Sequence, residues 1–125
     1  MKYLCSLGSN IEPELHFSRA KHYLAKLADE LEFSRDITTK PVGMNTNHPF
    51  LNALFILETA LTPTALKAEF NQIEVLLGRD RSDPLCSVKD RPIDIDILGE
   101  LDESPEVPDY LQQLIPDLTA VGETK

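Results

Sequence analysis

Two helical stretches, each burying a single stripe, alternate with short apolar runs in the order strand, helix, strand, strand, helix, strand. In a chain of 125 residues this order predicts an α+β fold. A helix with one apolar face must lie against another layer, and two such helices fit one face of a four-stranded antiparallel sheet. The result is the ferredoxin-like β-α-β-β-α-β sandwich, the simplest topology that respects right-handed crossovers. A short acidic C-terminal tail follows the last strand. A single domain over residues 1–125 is expected, with its core in 1–98 and the tail in 99–125. The other face of the sheet is left for loops, the tail and a ligand.

Each element has its own signal. Tyr3 to Leu7 is a short strand-like run that ends in the turn signal Gly8-Ser9-Asn10. Phe17, Ala20, Leu24, Leu27 and Leu31 follow the 3.6-residue period of a helix, and Pro13 suits its first turn. Residues 32–40, with Phe33, Ile37 and two threonines, read as one strand. Pro41, Gly43 and the stretch from Asn45 to Pro49 form a loop. Phe50 to Ala60 is the strongest strand, apolar on both faces.

Thr62 and Pro63 open the second helix as N-cap and first helical residue. Leu66, Phe70, Ile73 and Leu77 form its buried stripe, and Gly78 ends it. The polar stretch from Arg79 to Arg91 is long for a connection in a compact domain, and loops of that length often act as lids. Ile93 to Leu98 is the last strand, and the Pro-rich tail carries a short helix near Tyr110 to Leu114.

Composition excludes several partners. Twelve Lys and Arg against 21 Asp and Glu give a formal net charge of −9. Nucleic acid and anionic membranes need a cationic surface, so neither is expected as a partner. No apolar run approaches the ~20 residues that span a bilayer, and the first residues lack the apolar stretch of a signal peptide. Cys5 and Cys86 fit no metal or redox spacing, and reduced thiols in a cytoplasmic protein are expected.

The chemistry concentrates in Arg91-Pro92-Ile93-Asp94-Ile95-Asp96-Ile97-Leu98. Strand side chains alternate, so the isoleucines point one way and Asp94 and Asp96 the other. Their α-carbons lie about 7 Å apart, and side-chain reach can close this to the ~3.5–4 Å of a two-metal site. Hard carboxylate oxygens suit Mg²⁺ bound together with substrate phosphates. The bland alternative is an edge strand with acids facing water.

Arg79, Arg81 and Arg91 flank these acids. Guanidinium groups beside a carboxylate–metal site are what polyphosphate transfer requires; otherwise they offset Asp80, Asp83 and Asp90 on a solvated loop. Asn52 can read the edge of a heterocycle and Phe50 can stack on its ring, or Asn52 merely caps a strand end. Glu74 reads most simply as an exposed helix acid. His16, His22 and His48 show no ligand spacing.

Four segments occur in order: Leu7-Gly8-Ser9-Asn10; Phe50-Leu51-Asn52-Ala53 with Leu57-Glu58-Thr59; Ile73-Glu74 with Gly78-Arg79; and the Arg91 to Leu98 strand. Together they resemble 6-hydroxymethyl-7,8-dihydropterin pyrophosphokinases of folate biosynthesis, over roughly residues 3–98. The resemblance implies the ferredoxin-like fold and transfer of pyrophosphate from ATP, the co-substrate, to the pterin's hydroxymethyl group, releasing AMP. It implies two Mg²⁺ ions held by Asp94 and Asp96, with Arg79 and Arg91 as catalytic arginines. It places ATP against Asn71, Glu74, Arg81, Arg91 and the backbone of Ile97. It places the pterin against Thr39, Pro41, Val42, Gly43, Phe50 and Asn52. It further implies a cytoplasmic monomer whose partners are these small molecules.

The chain departs from the family in having no Trp, and in Pro108 being followed by Asp109 where the family carries Pro-His. Residues 99–125 hold seven acids and one lysine, a charge that repels triphosphate. The alternative reading is therefore a catalytically impaired relative that binds pterin or nucleotide without turnover.

Overall fold

The computed structural model describes residues 1–39, 49–78 and 93–118. Among them run β1 (Lys2–Ser9), α1 (Pro13–Leu27), β2 (Glu30–Phe33), β3 (Ile37–Thr39), β4 (Phe50–Glu58), α2 (Pro63–Leu76) and β5 (Asp94–Glu100). Two 3₁₀ segments follow, Leu101–Glu103 and Asp109–Asp117. All strand pairs are antiparallel, in the order β2-β4-β1-β5, and β3 also pairs with β4. The architecture is thus α+β, consistent with a ferredoxin-like arrangement.

The sheet has five strands rather than the four expected from the sequence. The single strand expected over 32–40 is split, because Ser34 interrupts it. Ser34 N–H donates to the Leu54 carbonyl and its Oγ accepts from Leu54 N–H, each at 2.9 Å. One residue therefore takes both of Leu54's backbone groups, and the chain turns outward before β3 resumes pairing at Ile37. Leu31, placed by its spacing in the first helix, instead lies in β2 opposite Leu57. Helix α1 stops earlier because Ala28 is extended, with φ −105° and ψ 139°.

Helix α2 begins and ends as its sequence dictates. Thr62 Oγ1 accepts from Ala65 N–H at 3.2 Å, Pro63 fills the first position, and Gly78 leaves the helix at φ 109°. Phe17, Ala20 and Leu24 of α1 and Leu66, Phe70 and Ile73 of α2 share one core. That core includes Tyr3, Cys5 and Leu7 of β1, Ala53, Phe55 and Leu57 of β4, and Ile93 and Ile95.

Alternation sends Leu4, Leu54 and Ile56 to the other face. There Leu101, Leu111, Leu114 and Leu118 close over them as a second cluster. The C-terminal acidic segment is thus packed by its leucines while Asp102, Glu103, Glu106 and Asp109 stay exposed. With three residues per turn, Leu111 and Leu114 fall in line on the side that meets the sheet. Two devices aim the segment. Leu98 is skipped where β1's partner moves from Ile97 to Gly99, a β-bulge that bends the strand end. Gly99 lets Pro105 approach, because a side chain there would put its Cβ 2.7 Å from Pro105 Cβ. The far end is tied by Asp117, which accepts from Arg35 N–H at 2.9 Å and from Arg35 Nη1 at 2.7 Å.

Candidate active site

Beyond the leucine cluster, β1, β4 and β5 bring polar residues together on the second face. Gly8 pairs with Asn52 on one side and Asp94 on the other; Ser6 pairs with Leu54 and Asp96. With strands ~4.8 Å apart, the α-carbons of Asn52 and Asp94 stand about 10 Å apart across Gly8. Glycine leaves the floor between them flat. A Cβ at position 8 would lie 3.1 Å from Asn52 Oδ1 and 3.6 Å from Phe50 Cδ1, so any side chain would intrude on this end of the site. From the sequence Gly8 reads as part of a turn signal; its place opposite two candidate site residues follows only from the strand register.

Asp94 and Asp96 point the same way, as the alternation with buried Ile95 requires. Their carboxyl groups are in hydrogen-bond contact with each other. Burial first, then the Asp94 charge, push the Asp96 carboxyl above its ordinary range, while Lys67 pulls it back and Glu74 adds to the rise. Two carboxylates pressed together at the end of a sheet suit a divalent cation, which would remove their repulsion. Among the described residues no group of three or more His, Cys, Asp or Glu side chains converges. A metal here would complete its shell with water and phosphate oxygens, as Mg²⁺ usually does.

β5 is an edge strand, and α2 seals its outer edge at one peptide. Ile95 N–H donates to Glu74 Oε2 at 2.8 Å, and Lys67 Nζ donates to the Ile95 carbonyl at 3.3 Å. Lys67 and Glu74 are seven residues apart, two turns on one helix face. Their bonds fix the backbone between the two aspartates. Glu74 has no exposed surface, so its reading as an exposed helix acid is corrected. Lys67 was not singled out from the sequence; on a helix it looks like any solvated lysine, and only the edge of β5 gives it a partner. Its Nζ also lies 3.6 Å from Asp96 Oδ1.

On the far side of Gly8, Asn52 Nδ2 donates to Thr39 Oγ1 and, at 3.4 Å, to the Phe50 carbonyl. Asn52 and Phe50 are both buried, at 6% and 8% exposure, so a ligand would meet their rims rather than open faces. Thr39 lies opposite Phe50 and is half-buried. Asn71 is half-buried on α2, one turn before Glu74, and Ile97 is half-buried against the helix-side core. Pro41, Val42, Gly43, Arg79, Arg81 and Arg91 lie outside the described residues.

Comparison with known proteins bears on this arrangement. Residues 4–117 match the family 7,8-dihydro-6-hydroxymethylpterin-pyrophosphokinase (HPPK). Curated proteins from two strains of Porphyromonas gingivalis, each named 2-amino-4-hydroxy-6-hydroxymethyldihydropteridine pyrophosphokinase, are 39% identical over 95 residues. The match covers 74% of this chain, which spans 65% of the length of those relatives. The C-terminal domain of the MgtC protein from Mycobacterium tuberculosis aligns at a TM-score of 0.43 and 7% identity, over 77% of this chain and 85% of that one, too distant to bear on fold or function. By the match along nearly all of its length, the chain belongs to the 7,8-dihydro-6-hydroxymethylpterin-pyrophosphokinase family.

Proposed function

We propose that this chain, acting as a single ferredoxin-like domain, transfers pyrophosphate from ATP to 6-hydroxymethyl-7,8-dihydropterin, giving the pterin diphosphate and AMP. The observation that carries the reading is the row Asn52–Gly8–Asp94 with Asp96 beside it. It joins a flat, amide-edged floor to a carboxylate pair within about 10 Å, in a member of a family named for this reaction.

Asp94 and Asp96 would hold two Mg²⁺ ions, which supply electrostatic stabilisation of the phosphates. The rest falls to the chain's own groups. Asn52 orients the heterocycle edge over Gly8, with Phe50, Thr39, Pro41, Val42 and Gly43 bounding it. That orientation holds the hydroxymethyl oxygen in line with the β-phosphorus, which converts a bimolecular encounter into a positioned attack. The oxygen–phosphorus bond forms as the bond from the β-phosphorus to the AMP oxygen breaks, and the hydroxyl proton leaves to solvent. Arg79, Arg81 and Arg91 take up charge on the phosphates. Asn71 and the Ile97 backbone face the nucleotide. Glu74, bonded to Ile95, keeps the aspartates in register. The substrates are small molecules, and a cytoplasmic monomer fits them. Among the described residues no helix is long and apolar enough to cross a membrane.

A second reading, binding of pterin or nucleotide without turnover, is favoured by the exposed acids Asp102, Glu103, Glu106 and Asp109 on the segment beside the sheet. One experiment separates the two. Mg-ATP is incubated with and without the hydroxymethyl-dihydropterin, and AMP is measured. The transferase reading expects pterin-dependent AMP that Asp94→Ala abolishes. Background AMP with calorimetric binding of either ligand leaves the second reading, and no AMP with no binding removes both.

A further inference from the structure

We propose that Lys67 is a tethered counter-cation of the Asp94–Asp96 pair, which a divalent ion must displace from Asp96 in order to bind. The proposal rests on the reading of the two aspartates as metal ligands and adds a competitor built into this chain.

The geometry is that of a cation parked beside two acids. Lys67 approaches from α2, on the opposite side of the sheet, and reaches Asp96 past the outer edge of β5. The Ile95 carbonyl anchors its ammonium at 3.3 Å, which leaves its remaining protons for Asp96 Oδ1 at 3.6 Å. An ammonium has no fixed donor geometry, so it can hold the carbonyl while releasing the carboxylate. The contact is half exposed on both sides, at 41% and 49%, which makes it weak enough to exchange. One ammonium offsets a single charge, whereas the pair carries two when ionised. A divalent ion therefore gains more from the site than Lys67 does, yet has to break the Lys67 contact first.

Mn²⁺ is the probe, and its free concentration is followed by electron paramagnetic resonance for wild type, Lys67→Met, Lys67→Arg and Asp96→Asn. Lys67→Met is expected to bind Mn²⁺ about two- to fivefold more tightly, the size of one partly exposed ion pair. Lys67→Arg, which keeps the charge, is expected to stay near wild type, and Asp96→Asn to lose binding. Equal or weaker binding by Lys67→Met overturns the proposal and leaves the metal site standing. No Mn²⁺ uptake by wild type or Lys67→Met overturns both. On the unaltered protein, Mg²⁺ is expected to move the Lys67 ε-methylene NMR signals toward those of a solvated lysine; signals that do not move also overturn the proposal.

Discussion

Replacing Glu74 by alanine removes the acceptor of Ile95 N–H at a position with no exposed surface. A hydrogen bond to a charged group contributes about 1.5–3 kcal/mol, and an orphaned buried donor costs about 1–3 kcal/mol. The vacated side-chain volume adds to the loss, and alanine's better helix propensity returns only a few tenths of a kcal/mol. The net expectation is a destabilisation of about 2–4 kcal/mol. For a domain of this size each kcal/mol lowers Tm by about 3–5 °C, so the fall is about 6–20 °C by calorimetry. Glu74→Gln keeps an oxygen acceptor and is expected to lose about half as much. Urea unfolding followed by circular dichroism gives the free energy, and hydrogen exchange at the Ile95 amide reports the bond itself. A loss under about 0.5 kcal/mol, the range of ordinary surface substitutions, with the Ile95 amide still protected, would refute the edge-clamp argument.

Three further outcomes are expected. Leu114→Ala should cost about 2–5 kcal/mol in urea unfolding, because Leu114 is fully buried over the sheet; a loss typical of an exposed tail would show that the segment is not part of the core. Asp96→Asn should abolish Mn²⁺ uptake yet leave the metal-free fold as stable as wild type or more so at neutral pH. The sign follows from the raised folded-state pKa. As pH rises past the ordinary value of 3.8, the unfolded state gives up its proton first and the wild type loses stability, so the variant's advantage should vanish below that pH. In a Cys86→Ser background, Cys5 should resist thiol reagents at pH 8 until denaturant is added, since burial pushes its pKa up and keeps the thiol protonated; rapid native labelling would contradict this.

Much of this molecule was legible in the chain. The isoleucines at 93, 95 and 97 against Asp94 and Asp96 gave away both faces of β5, because a strand has no other way to place alternate residues. The stripes Phe17-Ala20-Leu24 and Leu66-Phe70-Ile73, the Thr62 cap and the Gly78 exit defined the helices. What was not legible depended on partners distant in sequence. Leu31 continued a helical period but was claimed by Leu57 across the sheet. Ser34 split a strand only because Leu54 stood opposite to bond both its N–H and its Oγ. Glu74 read as a surface acid until β5 lay against it. Charge hid the leucines at 101, 111, 114 and 118, whose spacing is modest and whose neighbours are acidic.

The packing of those four leucines has a consequence for synthesis. Translation delivers Leu4, Leu54 and Ile56 well before the residues that cover them. A nascent chain that has emerged through β5 has its helix-side core available, yet still displays a greasy sheet surface. Until the leucines at 101, 111, 114 and 118 have emerged and Asp117 meets Arg35, that surface is a target for chaperones and for other nascent chains.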